Sequence, residues 1–163
     1  MQASSFQIDF NRYANASELG DEDQKLIEIA RKLAQEAYAP YSGFQVASVA
    51  LMKNGNFIHG TNQENASYPI GLCAERVMLA AISSLASDSL EIKSICISYT
   101  SSQVPTDKPI APCGICRQSL TEFESRMKSS LRLLLTGQTG EVYEFASASS
   151  LLPMAFKKGN LNK

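Results

Sequence analysis

One histidine and four cysteines are all the imidazole and thiol this chain of 163 residues carries. Positive charge is scarce too. Fifteen Lys and Arg face sixteen Asp and Glu, for a formal net charge of −1, and no basic cluster stands out. That balance argues against a nucleic-acid groove. No apolar stretch is long enough to cross a bilayer. Met1 to Phe10 is polar and alternating, without the basic head and apolar run of a secretory signal, so none is expected. Repeats, linkers and low-complexity blocks are missing as well. What remains is a composition ordinary for a soluble globular protein, at a length that suits one domain with a modest core.

The few cysteines are not scattered. Cys73-Ala74-Glu75-Arg76 opens a run with helical periodicity (73–87), whose apolar positions include Val77, Met78, Ala81, Ile82 and Leu85. Pro112-Cys113-Gly114-Ile115-Cys116-Arg117 opens a second, with Leu120, Phe123 and Met127 at helical spacing. Cys-x-x-Cys lets two sulfurs reach one metal from the first turn of a helix. Helix N-termini favour thiolate over thiol. Zinc takes soft ligands in tetrahedral geometry; structural sites use four protein ligands and catalytic sites three. Cys73, Cys113 and Cys116 are therefore expected to hold one Zn²⁺ per subunit, with Glu75 beside it. Cys96 lies in the apolar run SICISY and reads as a buried strand thiol. His59 follows a strand and reads as a surface or packing residue. With no obvious fourth ligand, the pattern favours a catalytic zinc over a redox pair or a structural knuckle. Three thiolates leave such a centre at net −1, and Arg76 and the two helix ends are expected to draw off part of that charge. Metal-assigned free thiols fit a reducing, cytoplasmic compartment.

In chain order, residues 5–13 alternate Phe6, Ile8 and Phe10 with polar partners at a strand-like period of two, either as an edge strand or as an arm against a neighbour. Asp21-x-x-Gln24 resembles a capping box before a helix striped by Leu26, Ile29, Ala30, Leu33 and Ala37, which Pro40 should end. Phe44 to Met52 reads as a strand, Asn54-Gly55 as a type I′ turn, and Asn56 to Gly60 as the return strand. Ile92 to Tyr99 is continuously apolar and so central. Leu131 to Leu135 and Glu141 to Phe145 complete five strands. Ser149 to Phe156 reads as a short terminal helix. A hairpin followed by alternating helices and strands implies a mixed sheet with helices on both faces. The domain is expected over 21–156, with an N-terminal extension (1–20) and a frayed tail (157–163).

Cys-Ala-Glu followed by Pro-Cys-x-x-Cys resembles the zinc-dependent nucleoside deaminases. AYAPYSGFQV (37–46), GTNQENASYP (60–69), CAER (73–76), PCGICRQ (112–118) and LLPMAF (151–156) are together similar to the small cytidine deaminases. The resemblance implies a three-layer α/β/α sandwich around a five-stranded mixed sheet. It implies hydrolysis of cytidine and 2′-deoxycytidine with release of ammonia, in pyrimidine salvage. Deamination at C4 of a pyrimidine needs a hydroxide, a proton for ring N3 and a proton for the leaving amine. By resemblance zinc supplies the first and Glu75 carries the protons. Outside that context Glu75 would be a helix N-terminal carboxylate. The resemblance also assigns Asn62 and Glu64 to the ribose hydroxyls, the Ala74 backbone to the base, and Phe44 to the pocket wall. Tyr68 and Phe156 would be lent by neighbouring subunits of a homotetramer with shared active sites. No nucleic-acid or membrane partner is implied.

One departure is visible. The family usually reads Phe-x-Val-Gly-Ala-Ala where this chain has Phe44-Gln45-Val46-Ala47-Ser48-Val49, which leaves local packing open. Alternatives are a blasticidin-S-type or other small-molecule aminohydrolase, a deaminase acting on single-stranded nucleic acid, and a non-catalytic zinc-stabilised interaction module. The Asn62-x-Glu64-Asn65 loop favours a ribose reader over the first. The second lacks a basic track. The third requires four protein ligands.

Overall fold

A computed structural model describes residues 1–85 and 91–161. Among these, six strands form one mixed sheet in the order β1-β6-β5-β4-β2-β3. They are β1 (Asn11–Tyr13), β2 (Phe44–Met52), β3 (Phe57–Thr61), β4 (Ile92–Ser101), β5 (Arg132–Thr136) and β6 (Val142–Phe145). The β4–β5 pair is parallel and every other pair antiparallel. Strand alternation sorts the core into two layers. Ile95 and Ile97 of β4 meet Met78, Leu79 and Ile82 of α2 (Ala74–Leu85) and Leu120 and Phe123 of α3 (Gly114–Met127). Cys96, between them, points the other way, with Val49 and Leu134, onto Leu26, Ile27 and Ala30 of α1 (Asp21–Ala34). This is the expected α/β/α sandwich, with one strand more than the five anticipated. Residues 86 and 87 of the helical run expected over 73–87, and 162 and 163 of the tail, lie outside the described residues.

The extra strand comes from the N-terminal extension, as an edge strand. Only residues 11–13 of the alternating stretch pair, with Val142 to Glu144 of β6. Phe10 still stacks on Tyr143 and Phe145, with ring centroids 4.9 and 5.3 Å away. The side chain of Glu144 ties this edge down. It accepts from Asn11 Nδ2 (3.0 Å), Tyr13 Oη (2.7 Å) and Arg132 Nε, while both Arg132 Nη groups grip Asp23 of α1 at 2.7 and 2.8 Å. Burial pushes the Glu144 carboxyl up, but the donors of Tyr13, Asn11 and Arg132 together outweigh it and hold the group below its ordinary value of 4.5. A depressed folded-state value stabilises above the unfolded one and loses that contribution as pH falls through it. Glu144→Gln should therefore cost about 1.5–3 kcal/mol at neutral pH, the worth of a charge-assisted hydrogen bond, and progressively less below pH 4.5. Urea unfolding of both proteins at the two pH values checks this.

Local expectations fail where a neighbour takes over a backbone group. The capping box does not form. Gly20 is the N-cap of α1, Asp21 is already helical, and Gln24 Nε2 donates to the Leu19 carbonyl instead. Three acidic residues in the first turn still suit the helix dipole. The helix stops at Ala34, well short of Pro40, as Gln45 Nε2 bonds the Gln35 and Ala37 carbonyls. The β2–β3 connection is not a type I′ turn, since Asn54 does not have positive φ. Gly55 alone is left-handed (φ 85°), in a three-residue loop closed by Met52 N–H to the Asn56 carbonyl. The terminal helix is a single 3₁₀ turn, Ala148–Leu151. Leu152, before Pro153, has left helical geometry (φ −139°, ψ 73°). At the family departure, Ala47 and Val49 are both fully buried in β2, and neither has positive φ. The substitution of glycine there demands no backbone strain.

Candidate active site

α2 and α3 both begin at the edge of a cavity of about 670 Å³, beside the start of β2 and the C-terminal end of β3. Ligand crevices in open α/β sheets lie at such strand ends. Gly60 of β3 sets the height of α2. A Cβ there would sit 2.4 Å from the Met78 nitrogen and 2.7 Å from the Ala74 carbonyl, so the absence of a side chain lets the first turns of α2 lie directly on the strand. Cys73 immediately precedes α2, and its carbonyl accepts from the backbone N–H groups of Arg76 and Val77 at 3.0 and 3.1 Å. Cys113 is the N-cap of α3 and Cys116 lies in its first turn.

The sulfurs of Cys73, Cys113 and Cys116 all lie within 4.8 Å of one another, with Cys73 and Cys113 at 3.8 Å. Tetrahedral zinc with Zn–S bonds of 2.3 Å implies sulfurs about 3.8 Å apart, so spacing and donor chemistry both fit the ion. No fourth His, Cys, Asp or Glu joins the cluster among the described residues. A hydrogen bond from Cys116 holds Cys73 down to about 6, aided by the Arg76 charge, while the same contact and burial push Cys116 up. The two remaining candidates stand apart as expected. Cys96 is fully buried on the α1 side of the sheet, which pushes its thiol up to about 12. His59 is exposed on β3, outside the cavity wall.

Glu75 lines the cavity next to the thiols and is only 5% exposed. Burial raises its carboxyl above the ordinary range, against opposing hydrogen bonds from its own backbone and from Cys116. Phe44, Asn62, Glu64, Tyr68 and Ala74 also line the cavity. Phe44 is fixed by stacking on Tyr99, with centroids 5.0 Å apart. Asn62 braces the start of β2, accepting from Val46 N–H (2.7 Å) and donating to the Phe44 carbonyl (2.9 Å). Glu64 accepts from the backbone N–H groups of Tyr41 (2.8 Å) and Ser42 (3.3 Å) and from the Ser42 hydroxyl. The hydroxyl and the Tyr41 amide pull this carboxyl below its usual range. Tyr68 packs edge-on against Tyr41 in the cavity of its own chain. Phe156 is exposed and outside that wall.

Residue patterns alone missed Tyr41, Ile110 and Ala111 as cavity residues. Their signal was position: Tyr41 lies within AYAPYSGFQV, and Ile110 and Ala111 immediately precede Pro112.

The family model described as the cytidine and deoxycytidylate deaminase zinc-binding region matches residues 21–129. The chain belongs to the cytidine and deoxycytidylate deaminase family. A cytidine deaminase of Sporosarcina psychrophila is 34% identical over 139 residues, covering 85% of this chain and 94% of that protein. One from Halalkalibacterium halodurans is 37% identical over 140 residues, covering 85% and 97%. Among solved structures, cytidine deaminase from Burkholderia pseudomallei superposes with a TM-score of 0.70 at 39% identity, over 81% of this chain and 97% of that one. Membership makes zinc the cofactor, and the three clustered thiols are a group that could hold the ion. No helix among its described residues is long and apolar enough to cross a membrane.

Proposed function

We propose that this chain is a cytidine deaminase that hydrolyses cytidine and 2′-deoxycytidine to uridine and 2′-deoxyuridine, releasing ammonia, in the cytoplasmic salvage of pyrimidines. The observation that carries the reading is a buried carboxylate beside three clustered thiols at the wall of a nucleoside-sized cavity. Bound zinc supplies Lewis acidity and a water of lowered pKa. The chain does the rest. Glu75 takes one proton from water and delivers it to ring N3, then takes the second from the hydroxyl now on C4 and gives it to the amino group, which departs as ammonia. Its burial suits the task, because a desolvated carboxylate is a stronger base than an exposed one. Phe44 packs against the base, and the Ala74 backbone bonds its polar edge.

Asn62 and Glu64 serve two ends at once. Each shapes the cavity wall through the hydrogen bonds described above, and each keeps capacity for a ribose hydroxyl. A side-chain amide has two donor hydrogens and two acceptor sites, and a carboxylate about four; Asn62 uses one of each kind and Glu64 three. Charge-assisted bonds of this type suit recognition of a diol. Phe156, exposed and outside the wall of its own cavity, is read as the residue lent to a neighbouring active site in a homotetramer. Tyr68, at the cavity mouth, is read as meeting the neighbour there. The catalytic domain is taken as residues 21–156.

The test follows loss of the cytidine absorbance band by protein whose mass has been fixed by light scattering. Cytidine, deoxycytidine, blasticidin S and a cytosine-containing oligonucleotide are compared, with and without a zinc chelator. The two nucleosides should be turned over by a tetramer, and chelation should stop them. Turnover confined to blasticidin S or the oligonucleotide, or absent throughout, would overturn the assignment.

A further inference from the structure

Arg117 directly follows Cys116, and its side chain turns back on the loop that enters α3. Nε–H donates to the Pro112 carbonyl at 2.8 Å and Nη1 donates to the Leu151 carbonyl at 3.2 Å. Its backbone N–H meanwhile closes the first helical turn onto the Cys113 carbonyl at 2.9 Å. Among the described residues, the bond from Arg117 to Pro112 is the one hydrogen bond made by any atom of residues 108–112. That stretch carries Ile110 and Ala111 on the cavity wall and delivers the chain to Cys113. Cys113 makes no side-chain cap bond of its own, so little else orients the peptide on which its sulfur is mounted.

The second anchor is firm. Leu151 is buried in the core. The 3₁₀ turn that it ends is held from further along α3 by Glu124, whose carboxylate accepts from the backbone N–H groups of Ala148 (3.1 Å) and Ser149 (3.0 Å). Arg117 therefore ties a sparsely bonded loop to a fixed point. A guanidinium does this well, since its planar fork offers donors in set directions, whereas a lysine is a single point charge on a flexible stem.

We propose that Arg117 is a positioning residue for the metal loop. By bridging the Pro112 and Leu151 carbonyls it holds Cys113, together with Ile110 and Ala111, in place against Cys73 and Cys116. The inference rests on the reading of the three thiols as the zinc ligands. Groups that orient metal ligands in this indirect way typically contribute 10–100-fold in metal affinity, and the same range is expected here.

The experiment loads the full chain with zinc and follows transfer to a chromophoric chelator, for the parent protein, Arg117→Gln and Arg117→Lys. Arg117→Gln should release zinc about tenfold faster or more, with Arg117→Lys in between. The sulfur-to-metal charge-transfer band of the cobalt-loaded protein should shift in the same order. Gln118→Ala, which breaks a bond to the Phe156 carbonyl one position along, should leave zinc release unchanged. A purely structural role would lower the melting temperatures of zinc-loaded and zinc-free protein equally, with release rate and cobalt spectrum unmoved, and that result overturns the proposal. If Arg117→Gln does not fold, Arg117→Lys carries the same comparison. A parent protein that binds no zinc would instead sink the reading of the thiols, before any variant is made.

Discussion

Replacing Glu75 by glutamine is expected to lower kcat by about 10⁴-fold, the upper range for a positioned acid–base group, while one zinc per chain is retained. Glutamine keeps the shape and still offers a hydrogen-bonding oxygen, but it cannot accept a proton from water or return one to ring N3 and to ammonia. The loss should fall on kcat and kcat/KM alike, the signature of an interaction made in the transition state and not in substrate binding. Stability should move the other way. Burial holds the Glu75 carboxyl above its ordinary range, so the folded protein bears a desolvation cost that a neutral amide escapes. The variant should melt at the same temperature as the parent or higher, as expected where function is held at the expense of stability. A carboxylate present only to complement the dipole of α2 predicts the reverse pair: turnover kept and stability lost. Assay, metal content and a melting curve on one preparation separate the two.

The features legible in the sequence share a physical character. β2 was readable to its exact ends, Phe44 and Met52, because its burial dictates which residue types it accepts. The spacing of Cys73, Cys113 and Cys116 was readable because metal chemistry admits few donor types, and three thiols of four converge. What stayed hidden depends on partners distant in the chain. Gln45 captures carbonyls at the end of α1, and Arg132 links Asp23 to Glu144 across more than a hundred residues. No local pattern announces such pairings. The sixth strand was legible as an alternation, but only its last three residues, Asn11 to Tyr13, pair with β6. Asn62 and Glu64 were legible as polar loop residues, yet their bracing of Phe44, Val46 and the Tyr41–Ser42 backbone depends on the fold. Phe156 could be located in the LLPMAF segment, but a residue outside its own cavity gives no local sign of the surface it meets.

Replacing Cys116, the buried member of the thiol cluster, should have the other large effect. Cys116→Ala is expected to abolish zinc binding at micromolar metal and to reduce turnover to background, while the chain stays folded. Two arguments support survival of the fold. Cys116 is fully buried, and alanine is smaller and apolar, so no unpaired polar group enters the interior. The layers that hold the sheet between its helices are built from other residues, including Leu120 and Phe123 on the same helix. What disappears is the stabilisation that ligand binding adds, RT ln(1 + [Zn]/Kd), or about 4 kcal/mol at a thousandfold excess over Kd. The parent should therefore melt higher with zinc than after chelation, whereas the variant should melt alike under both conditions, near the chelated parent. Cys96→Ala supplies the contrast. That thiol is equally buried but lies on the α1 side of the sheet, so it should keep zinc, activity and the zinc-dependent rise in melting temperature. Loss of metal in both variants would mean that the fold, and not the sulfur donor, controls binding. Retention of metal and turnover in Cys116→Ala would remove Cys116 from the ligand set.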